Sequence, residues 1–307
     1  MFLRKWTAVL QKFWTIRELL KVTTDYLEKK EIESPRLSAE ILLAHQLKLS
    51  RVKLYLNFDQ PLHDKEIEGY RSLIKRRLNR EPIQYITGVQ EFWSLDFTVG
   101  PQVMVPRPET ELLVEHALAL CRGDKVAKGA CERILDLGTG CGAIAVAIAR
   151  ELEGVAIWAS DASQEALDTA RRNAKRHGVE ERIEFLLSDL WQGFPSQELT
   201  FDIIVSNPPY IASEAIDSLA PEVRNYEPRQ ALDGGAEGMF YITNIIQEAP
   251  RHLKPGGWIL LEMDPEQTAK ALGLMEANAS YGEKVRLKDY SHDHRVVMAQ
   301  KLRKARP

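Results

Sequence analysis

The segment Ser206-Asn207-Pro208-Pro209-Tyr210 combines groups that can hold a planar NH2 group. The Asn207 side-chain oxygen and the Pro208 carbonyl can each accept one N–H of such a group. The two prolines stiffen the loop, so we expect these acceptors to be fixed before a ligand arrives. The Tyr210 ring can pack against the planar target. Because an amide nitrogen is a poor nucleophile, the motif predicts group transfer to nitrogen that depends mainly on positioning. A rigid turn with a capping asparagine is the structural alternative.

A glycine-rich segment begins at Asp136, after an apolar run, and precedes a helix predicted over 143–151. Glycines let the backbone turn sharply and let a ligand approach main-chain atoms. Their spacing differs from the GxGxxG pattern of dinucleotide-binding proteins, and no lysine that could bind a phosphate group follows. A tight strand-to-helix turn is the alternative reading, and we expect the cysteine to be a small residue that fits this turn. The predicted cofactor contacts in this loop are Gly138, Thr139, Gly140, Cys141 and Gly142.

Two acids at the ends of the next predicted strands extend this site. Asp161 follows Gly138 by about twenty positions, where an acid can accept hydrogen bonds from both ribose hydroxyls. Asp161 can equally cap the helix that starts near Gln164. Asp189 can accept a hydrogen bond from an adenine amino group, and Leu190 follows it. Together these residues outline an adenosine-shaped site that does not require a pyrophosphate.

Short apolar runs alternate with amphipathic helical patterns after Arg133. This alternation predicts an α/β fold with a parallel sheet covered on both faces. Little chain separates the last two runs, so the final strand should be antiparallel. The predicted strands are 134–137, 155–159, 183–187, 201–205, 258–262, 285–287 and 295–299.

The first part of the chain has a different pattern, with apolar residues at helical spacing from Thr15 to Arg80. We expect helix breaks at Ser34-Pro35, where Ser34 can cap the helix that Pro35 opens, and near Pro61. The helix that ends with 71–77 is strongly basic, which is compatible with a solvated face or a docking surface. The run 83–86 and the run 92–99 are expected to be strands that flank a turn at Gly88. Residues 106–111 should then open a helix. The predicted domains are 1–81, helical; 82–104, a hairpin linker; and 105–307, the α/β domain.

The amino-acid composition of the chain limits which classes of function we expect. The formal net charge is −3, which gives no broad footprint for nucleic acid or a membrane surface. The three cysteines form no CxxC pair, and Ser291-His292-Asp293-His294 is expected to be a solvated loop, so we predict no metal site. No apolar run is long enough for a membrane span, and a cytoplasmic protein is expected. The basic segment 1–17 is expected to be a first helix or an extension, although a transit segment would share its composition.

Several of these segments occur together in one known family. The chain closely resembles, from about Trp14 to Met298, the N5-glutamine methyltransferases that modify peptide chain release factors, the HemK/PrmC type. The Pro-Arg-Pro-Glu-Thr-Glu segment with Asn-Pro-Pro-Tyr is more specific than either motif alone. The matching segments are Arg80 to Gly88, Glu91-Phe92-Trp93, Val105 to Glu111, the glycine loop, Asn207 to Tyr210, and Asn225-Tyr226-Glu227-Pro228.

The resemblance implies a small N-terminal helical domain for substrate recognition and a class I S-adenosylmethionine-dependent methyltransferase domain. That domain would have a Rossmann-like, mostly parallel, seven-stranded sheet. The implied reaction is methylation of the glutamine in the Gly-Gly-Gln tripeptide of release factors. Apart from the resemblance, we hypothesise that the protein is a monomer. By this match, Gly138 to Gly142, Asp161 and Asn207 would contact S-adenosylmethionine, and Asn207 to Tyr210 would hold the glutamine.

The chain departs from the family pattern at two places. The family often has tryptophan directly after the acid at Asp189, whereas here Leu190 comes before Trp191. Which of these two side chains lies against an adenine is left open. The family usually has Glu-Ile-Gly where this chain has Glu262-Met263-Asp264.

Two other reactions share the Asn-Pro-Pro-Tyr chemistry. A related enzyme type methylates a glutamine of a ribosomal protein, and length does not separate it from the first. N6-adenine methyltransferases hold an adenine amino group in the same way, but they need a sizeable region that recognises the flipped base. No such region is evident here, so nucleic acid is not the expected substrate.

Overall fold

The computed structural model describes residues 14–123, 131–194 and 199–303. The chain divides into two compact units, Met1–Gly88 and Val89–Pro307. Most of the predicted basic extension, residues 1–13, lies outside the described residues. In the part of the chain that is described, no helix combines the length and the apolar character that a membrane crossing needs.

The first unit is helical, as predicted. Thr15 caps the first helix by accepting the Glu18 backbone N–H, and the Glu18 side chain accepts in return from the Thr15 N–H. Pro35 opens the second helix, but Ser34 makes no side-chain cap bond. Pro61 lies between the third and fourth helices, which confirms the second break. The helices are α1 Ile16–Glu28, α2 Pro35–Leu47, α3 Arg51–Leu56, α4 Asp64–Leu78 and α5 Ile83–Thr87.

The basic end of α4 makes contacts inside its own unit. Arg76 Nε donates to Glu81 Oε2 at 2.8 Å, and Arg76 also reaches the Ile86 carbonyl. Arg77 is buried and donates to the Glu81 carbonyl at 3.2 Å. These two arginines therefore fix the chain that follows α4, and the docking surface considered for this helix stays a prediction.

The strand predicted at 83–86 is wrong. Pro82 opens the one-turn helix α5, with the Tyr85 and Ile86 N–H groups bonded to the Pro82 carbonyl. Tyr85 and Ile86 are adjacent and both buried, which one turn of helix allows and a half-buried strand does not. The hairpin instead joins β1 Val89–Phe92 to β2 Leu95–Thr98, and it belongs to the second unit rather than to a separate linker.

The second unit is built on a seven-stranded sheet in the order β5-β4-β3-β6-β7-β9-β8. The five strands β5, β4, β3, β6 and β7 pair in parallel. Strand β9 is antiparallel to both neighbours, as predicted for the end of the chain. The strand order changes direction between β3 and β6. Folds of this type bind ligands in the crevice at such a point. The strands are β3 Arg133–Leu137, β4 Ala156–Asp161, β5 Ile183–Leu187, β6 Phe201–Ser206, β7 Leu253–Glu262, β8 Tyr281–Lys288 and β9 His294–Lys301.

Helices cover the sheet and bury its central strands. Every residue of β6 is buried, as expected for a strand packed on both faces. The helix predicted at 106–111 begins as the 3-10 turn Pro108–Thr110 and continues as α6. The helices of this unit are α6 Glu111–Arg122, α7 Ala143–Glu151, α8 Gln164–Arg176, α9 Pro221–Arg224, α10 Phe240–His252 and α11 Gln267–Ala277.

Candidate active site

One cavity of about 290 Å³ lies at the carboxyl ends of the parallel strands. It brings together the glycine loop after β3, the acids after β4 and β5, and the asparagine loop after β6. The sequence motifs therefore form a single site at the expected edge of the sheet. The predicted residues that line it are Gly138, Thr139, Gly140, Cys141, Asp161, Asp189, Leu190, Asn207, Pro208 and Pro209.

The glycine loop is tied to the ends of two strands. The Gly138 and Thr139 N–H groups both donate to the Ser160 carbonyl at 2.9 Å. Asp136 is fully buried and accepts from the Thr139 hydroxyl at 2.6 Å and from the Ala145 N–H at 3.1 Å. These bonds hold the loop in its turn from the protein side.

Gly142 is not among the residues that line the cavity, and its predicted role as a cofactor contact stays a prediction. It has a positive φ of 84° and stands directly before α7. An added Cβ would lie 3.0 Å from the Ala170 Cβ on α8. Gly142 therefore allows α7 and α8 to pack closely behind the site. Cys141 lines the cavity, and burial raises the pKa of its thiol.

Asp161 bonds to the loop rather than capping α8. Its Oδ2 accepts from the Gly140 N–H at 2.8 Å, and its Oδ1 accepts from the Ser163 N–H at 2.9 Å. Ser163 is the cap of α8, since its hydroxyl accepts from the Ala166 N–H. Burial raises the pKa of Asp161, and the backbone donors oppose this shift. Each carboxylate oxygen retains acceptor capacity for a ligand in the cavity.

The charged side chains that line the cavity are acidic. They are Asp161, Glu165 and Asp189, and no lysine or arginine of the described chain lines it. A site of this charge disfavours a phosphate-bearing ligand and favours a cationic one. The sulfonium and ammonium groups of S-adenosylmethionine fit this charge.

Leu190, and not Trp191, lies at the cavity. Leu190 lines it, with a positive φ of 50°, and the Ser188 hydroxyl donates to the Leu190 carbonyl at 2.6 Å. Trp191 stacks on His252, with ring centroids 4.4 Å apart and planes at 4°. The residue order that departs from the family pattern therefore places an aliphatic side chain at the predicted adenine position.

The Asn207 amide is held by a residue that the sequence did not single out. Its Nδ2 donates to the Thr110 hydroxyl at 3.0 Å, and Thr110 is buried and lines the cavity. Among the described residues, no group donates to Asn207 Oδ1 or to the Pro208 carbonyl. Both predicted acceptors are therefore available to a substrate NH2 group.

Tyr210 is not among the residues that line the cavity, and its packing against a planar target stays a prediction. Its side chain packs against the core, where burial and the nearby Glu262 raise the pKa of its hydroxyl. Its backbone carbonyl accepts from Gln267 Nε2 at 2.8 Å. Tyr210 thus anchors the far end of the loop that carries Asn207.

An ion pair joins two of the motifs that carry the family resemblance. The Arg107 guanidinium donates to Glu227 Oε1 at 2.5 Å, and Glu227 is 6% exposed. Burial raises the pKa of Glu227, and the Arg107 charge opposes this shift. The neighbouring residues Pro106 and Pro228 line the cavity. The pair therefore holds two walls of the site together.

Comparison with known proteins identifies the family. A model of the PrmC N-terminal domain matches residues 18–88, and a model of the methyltransferase small domain matches residues 110–224. The release factor glutamine methyltransferase of Geobacter sulfurreducens is 44% identical over 86% of this chain and 89% of its own. This chain belongs to the release factor glutamine methyltransferase family. The member from Chlorobaculum tepidum is 41% identical over 92% of this chain and 95% of its own.

A solved structure confirms the fold of the larger unit. The hMettl16 catalytic domain matches with a TM-score of 0.55 at 13% identity, over 75% of this chain and 83% of that one. At this identity the match shows the fold alone. Together with the observed strand order, it confirms the class I methyltransferase fold predicted for this family member.

Gly234 and Gly238 lie directly against the Asn-Pro-Pro-Tyr loop. The sequence motifs did not indicate these two residues. A Cβ on Gly234 would lie 2.7 Å from the Pro209 carbonyl oxygen and 2.8 Å from the Tyr210 Cα. A Cβ on Gly238 would overlap the Tyr210 carbonyl. Both positions therefore require glycine if the loop is to keep its place.

Replacing Gly234 by alanine should lower turnover about tenfold or more, because the added methyl must displace the loop that positions Asn207. Gly273 provides a control, since it lies in α11 and a Cβ there meets no atom within 4 Å. Gly273→Ala should retain wild-type turnover. Steady-state kinetics of both variants check this, and equal rates for the two would contradict the role given to Gly234.

The contribution of Asp136 to the stability of this family member should fall as the pH rises from about 4 to about 7. Burial raises the pKa of Asp136 from 3.8 to about 7, and its Oδ1 has no partner among the described residues. A raised acid pKa means that the folded state binds more protons than the unfolded state within this window. The contribution is fully present below the unfolded pKa and is lost through pH 7. A shift of this size corresponds to at most about 4 kcal/mol.

Asp136→Asn isolates this contribution, because the amide has the same shape and does not ionise. Urea unfolding of both proteins at pH 5 and pH 7.5 gives the difference directly. We expect the wild type to lose more stability across that interval than Asp136→Asn does. Parallel losses would show that Asp136 is ionised throughout.

Proposed function

We propose that this protein transfers a methyl group from S-adenosylmethionine to the side-chain amide nitrogen of the glutamine in the Gly-Gly-Gln motif of peptide chain release factors. One observation carries the proposal: a single cavity joins the glycine loop and acids to the free acceptors of Asn207 and Pro208. The names of the relatives supply the substrate class, since they are release factor glutamine methyltransferases.

The residues of the cavity fit S-adenosylmethionine in shape and charge. We assign the glycine loop to the amino acid part of the cofactor, Asp161 to the ribose hydroxyls, and Asp189 with Leu190 to the adenine. Gly138 and Gly140 have positive φ angles of 79° and 57°, and an added Cβ would meet no atom within 4 Å at either position. The space above them is therefore open to a ligand.

Asn207 and Pro208 are assigned to the substrate. S-adenosylmethionine, when bound, supplies an electrophilic methyl group. Asn207 Oδ1 and the Pro208 carbonyl accept the two N–H groups of the glutamine amide and so aim its nitrogen at the methyl group. As positive charge develops on that nitrogen, both acceptors interact with it more strongly than in the ground state. Tyr210 contributes by anchoring the loop, and Pro209 by stiffening it.

The remaining assignments concern the partner and the setting. We propose that the N-terminal helical unit, residues 1–81 with the helix that follows, recognises the release factor. We propose that the protein acts as a monomer. A cytoplasmic location follows from the proposed substrate.

Mass spectrometry of a purified release factor tests the reaction and the substrate together. After incubation with this protein and S-adenosylmethionine, the Gly-Gly-Gln peptide should gain one methyl group. A release factor with alanine in place of that glutamine should gain none. If the wild-type release factor stays unmodified under these conditions, the proposed substrate is wrong, and ribosomal protein and nucleic acid become the next candidates to assay.

A further inference from the structure

The orientation of the Asn207 amide determines which of its polar atoms a substrate meets. An amide carries an acceptor oxygen on one side and a donor NH2 group on the other. A half-turn of the side chain would present its NH2 to the N–H groups of the substrate and remove the interaction. The orientation must therefore be fixed by the protein before the substrate binds.

Thr110 provides that constraint. Asn207 Nδ2 donates to the Thr110 oxygen at 3.0 Å, and Thr110 is 4% exposed. A flipped amide would place Oδ1 against that oxygen. The flipped amide could keep this hydrogen bond only if the Thr110 hydroxyl donated its proton to Oδ1. It cannot do so if another acceptor already holds that proton.

Glu262 is the carboxyl able to take that proton. It is 1% exposed, and the Thr110 hydroxyl opposes the burial-induced rise of its pKa. Its Oε2 has no partner among the described residues. An ionised Glu262 that takes the Thr110 proton leaves the Thr110 oxygen able only to accept, as it does from Asn207 Nδ2, and this determines the amide orientation.

Strand pairing places these groups side by side. In the parallel pairing of β6 with β7, Ser206 is opposite Leu261; Asn207 follows directly after β6, and Glu262 is the last residue of β7. Glu262 itself is paired with Val296 on β9, so its backbone is fixed. The carboxyl therefore sits at a rigid position beside the asparagine loop.

We propose that Thr110 and Glu262 are positioning residues that hold Asn207 with its oxygen toward the substrate amide. The inference rests on the proposed function, in which Asn207 Oδ1 accepts from the glutamine. A hydrogen-bonded chain that ends on a carboxyl also polarises the Asn207 amide, which makes its oxygen a better acceptor. Neither residue needs to touch the reacting atoms to act in this way.

Kinetics of Thr110→Val and Thr110→Ser test the role of the hydroxyl. Valine keeps the shape and removes the hydrogen bond, so turnover at saturating S-adenosylmethionine should fall about 10- to 100-fold. Serine restores the hydroxyl and should recover most of that loss. The dissociation constant for S-adenosylmethionine should change by less than about threefold in both variants, since the cofactor contacts are elsewhere.

Two further variants complete the set. Glu262→Gln keeps the shape but offers an amide that can donate as well as accept, so turnover should fall about three- to tenfold. Thr268→Val is the control, because Thr268 is also buried and its hydroxyl donates to the Pro265 carbonyl just before α11, away from the Asn207 loop. Wild-type turnover in Thr110→Val, or equal losses in Thr110→Val and Thr110→Ser, would overturn the proposal.

A measurement without substrate separates this inference from the proposed function. In a 15N-labelled protein, the Asn207 side-chain NH2 signal is identified by its absence in Asn207→Ala. The hydrogens of the Asn207 side-chain NH2 group should exchange slowly with water in the wild type and in Thr110→Ser. In Thr110→Val they should exchange at least tenfold faster. Equal exchange in all three proteins would refute the orienting bond even if methyl transfer is observed. Slow exchange without methyl transfer would instead refute the proposed function alone.

Discussion

Replacing Asn207 by alanine is expected to lower the turnover of methyl transfer by about two to three orders of magnitude, the usual cost of removing one preorganised hydrogen-bonding group. The side chain leaves the cavity with its Oδ1 acceptor, and the Thr110 hydroxyl loses its donor. A substrate amide would then keep one acceptor, the Pro208 carbonyl, which cannot by itself fix the direction of the nitrogen lone pair. Turnover is measured from the mass of the methylated release factor peptide.

The same variant should retain part of its affinity for S-adenosylmethionine. The glycine loop and Asp161 are bonded to each other and to β4, and none of these bonds uses Asn207. Calorimetric titration should therefore show a dissociation constant that rises far less than turnover falls. Asn244→Ala is a matched control, because the Asn244 amide donates only to the Phe240 carbonyl on its own helix. Near-normal turnover in Asn207→Ala would refute the proposed mechanism.

The central sheet could be predicted from the sequence because its parallel strands are buried on both faces. Such strands appear as short apolar runs: β6, which is buried along its whole length, was predicted over 201–205 and extends over Phe201–Ser206. The edge strand β8 extends over Tyr281–Lys288, although only 285–287 was predicted, because exposed polar residues alternate along it. The run 83–86 failed for another reason: its apolar residues suit a strand, but Pro82 and the burial of two adjacent side chains favour a turn of helix.

The parts of the site that local motifs at the strand ends form could be predicted from the sequence. The glycine loop, the acids at strand ends and Asn207 all meet in the cavity because parallel strands end at one edge. Thr110, Gly234 and Gly238 were missed because their roles come from contacts between segments distant in the chain. The direction of side chains could not be predicted from the sequence either. Tyr210 packs against the core, although its motif suggested a ligand contact. A single sequence contains no signal for such contacts.

Replacing Asp161 by alanine should weaken the binding of S-adenosylmethionine by at least about 100-fold. The carboxylate accepts from the Gly140 and Ser163 N–H groups, and hydrogen bonds to a charged acceptor contribute about 1.5 to 3 kcal/mol each. Their loss frees the loop that faces the cofactor, and the ribose loses its proposed acceptor as well. Calorimetric titration of the purified variant measures the effect.

Two variants separate these contributions. Asp161→Asn keeps the size and one acceptor oxygen, so its affinity should fall between those of the wild type and Asp161→Ala. Asp189→Ala removes an exposed acid that also lines the cavity but has no bond to the loop, and its effect should be smaller than that of Asp161→Ala. Turnover at saturating cofactor should remain within about tenfold of the wild type in Asp161→Asn, since Asn207 and Thr110 are untouched. If Asp161→Ala binds S-adenosylmethionine as tightly as Asp189→Ala does, the link between Asp161 and the glycine loop does not control the cofactor site.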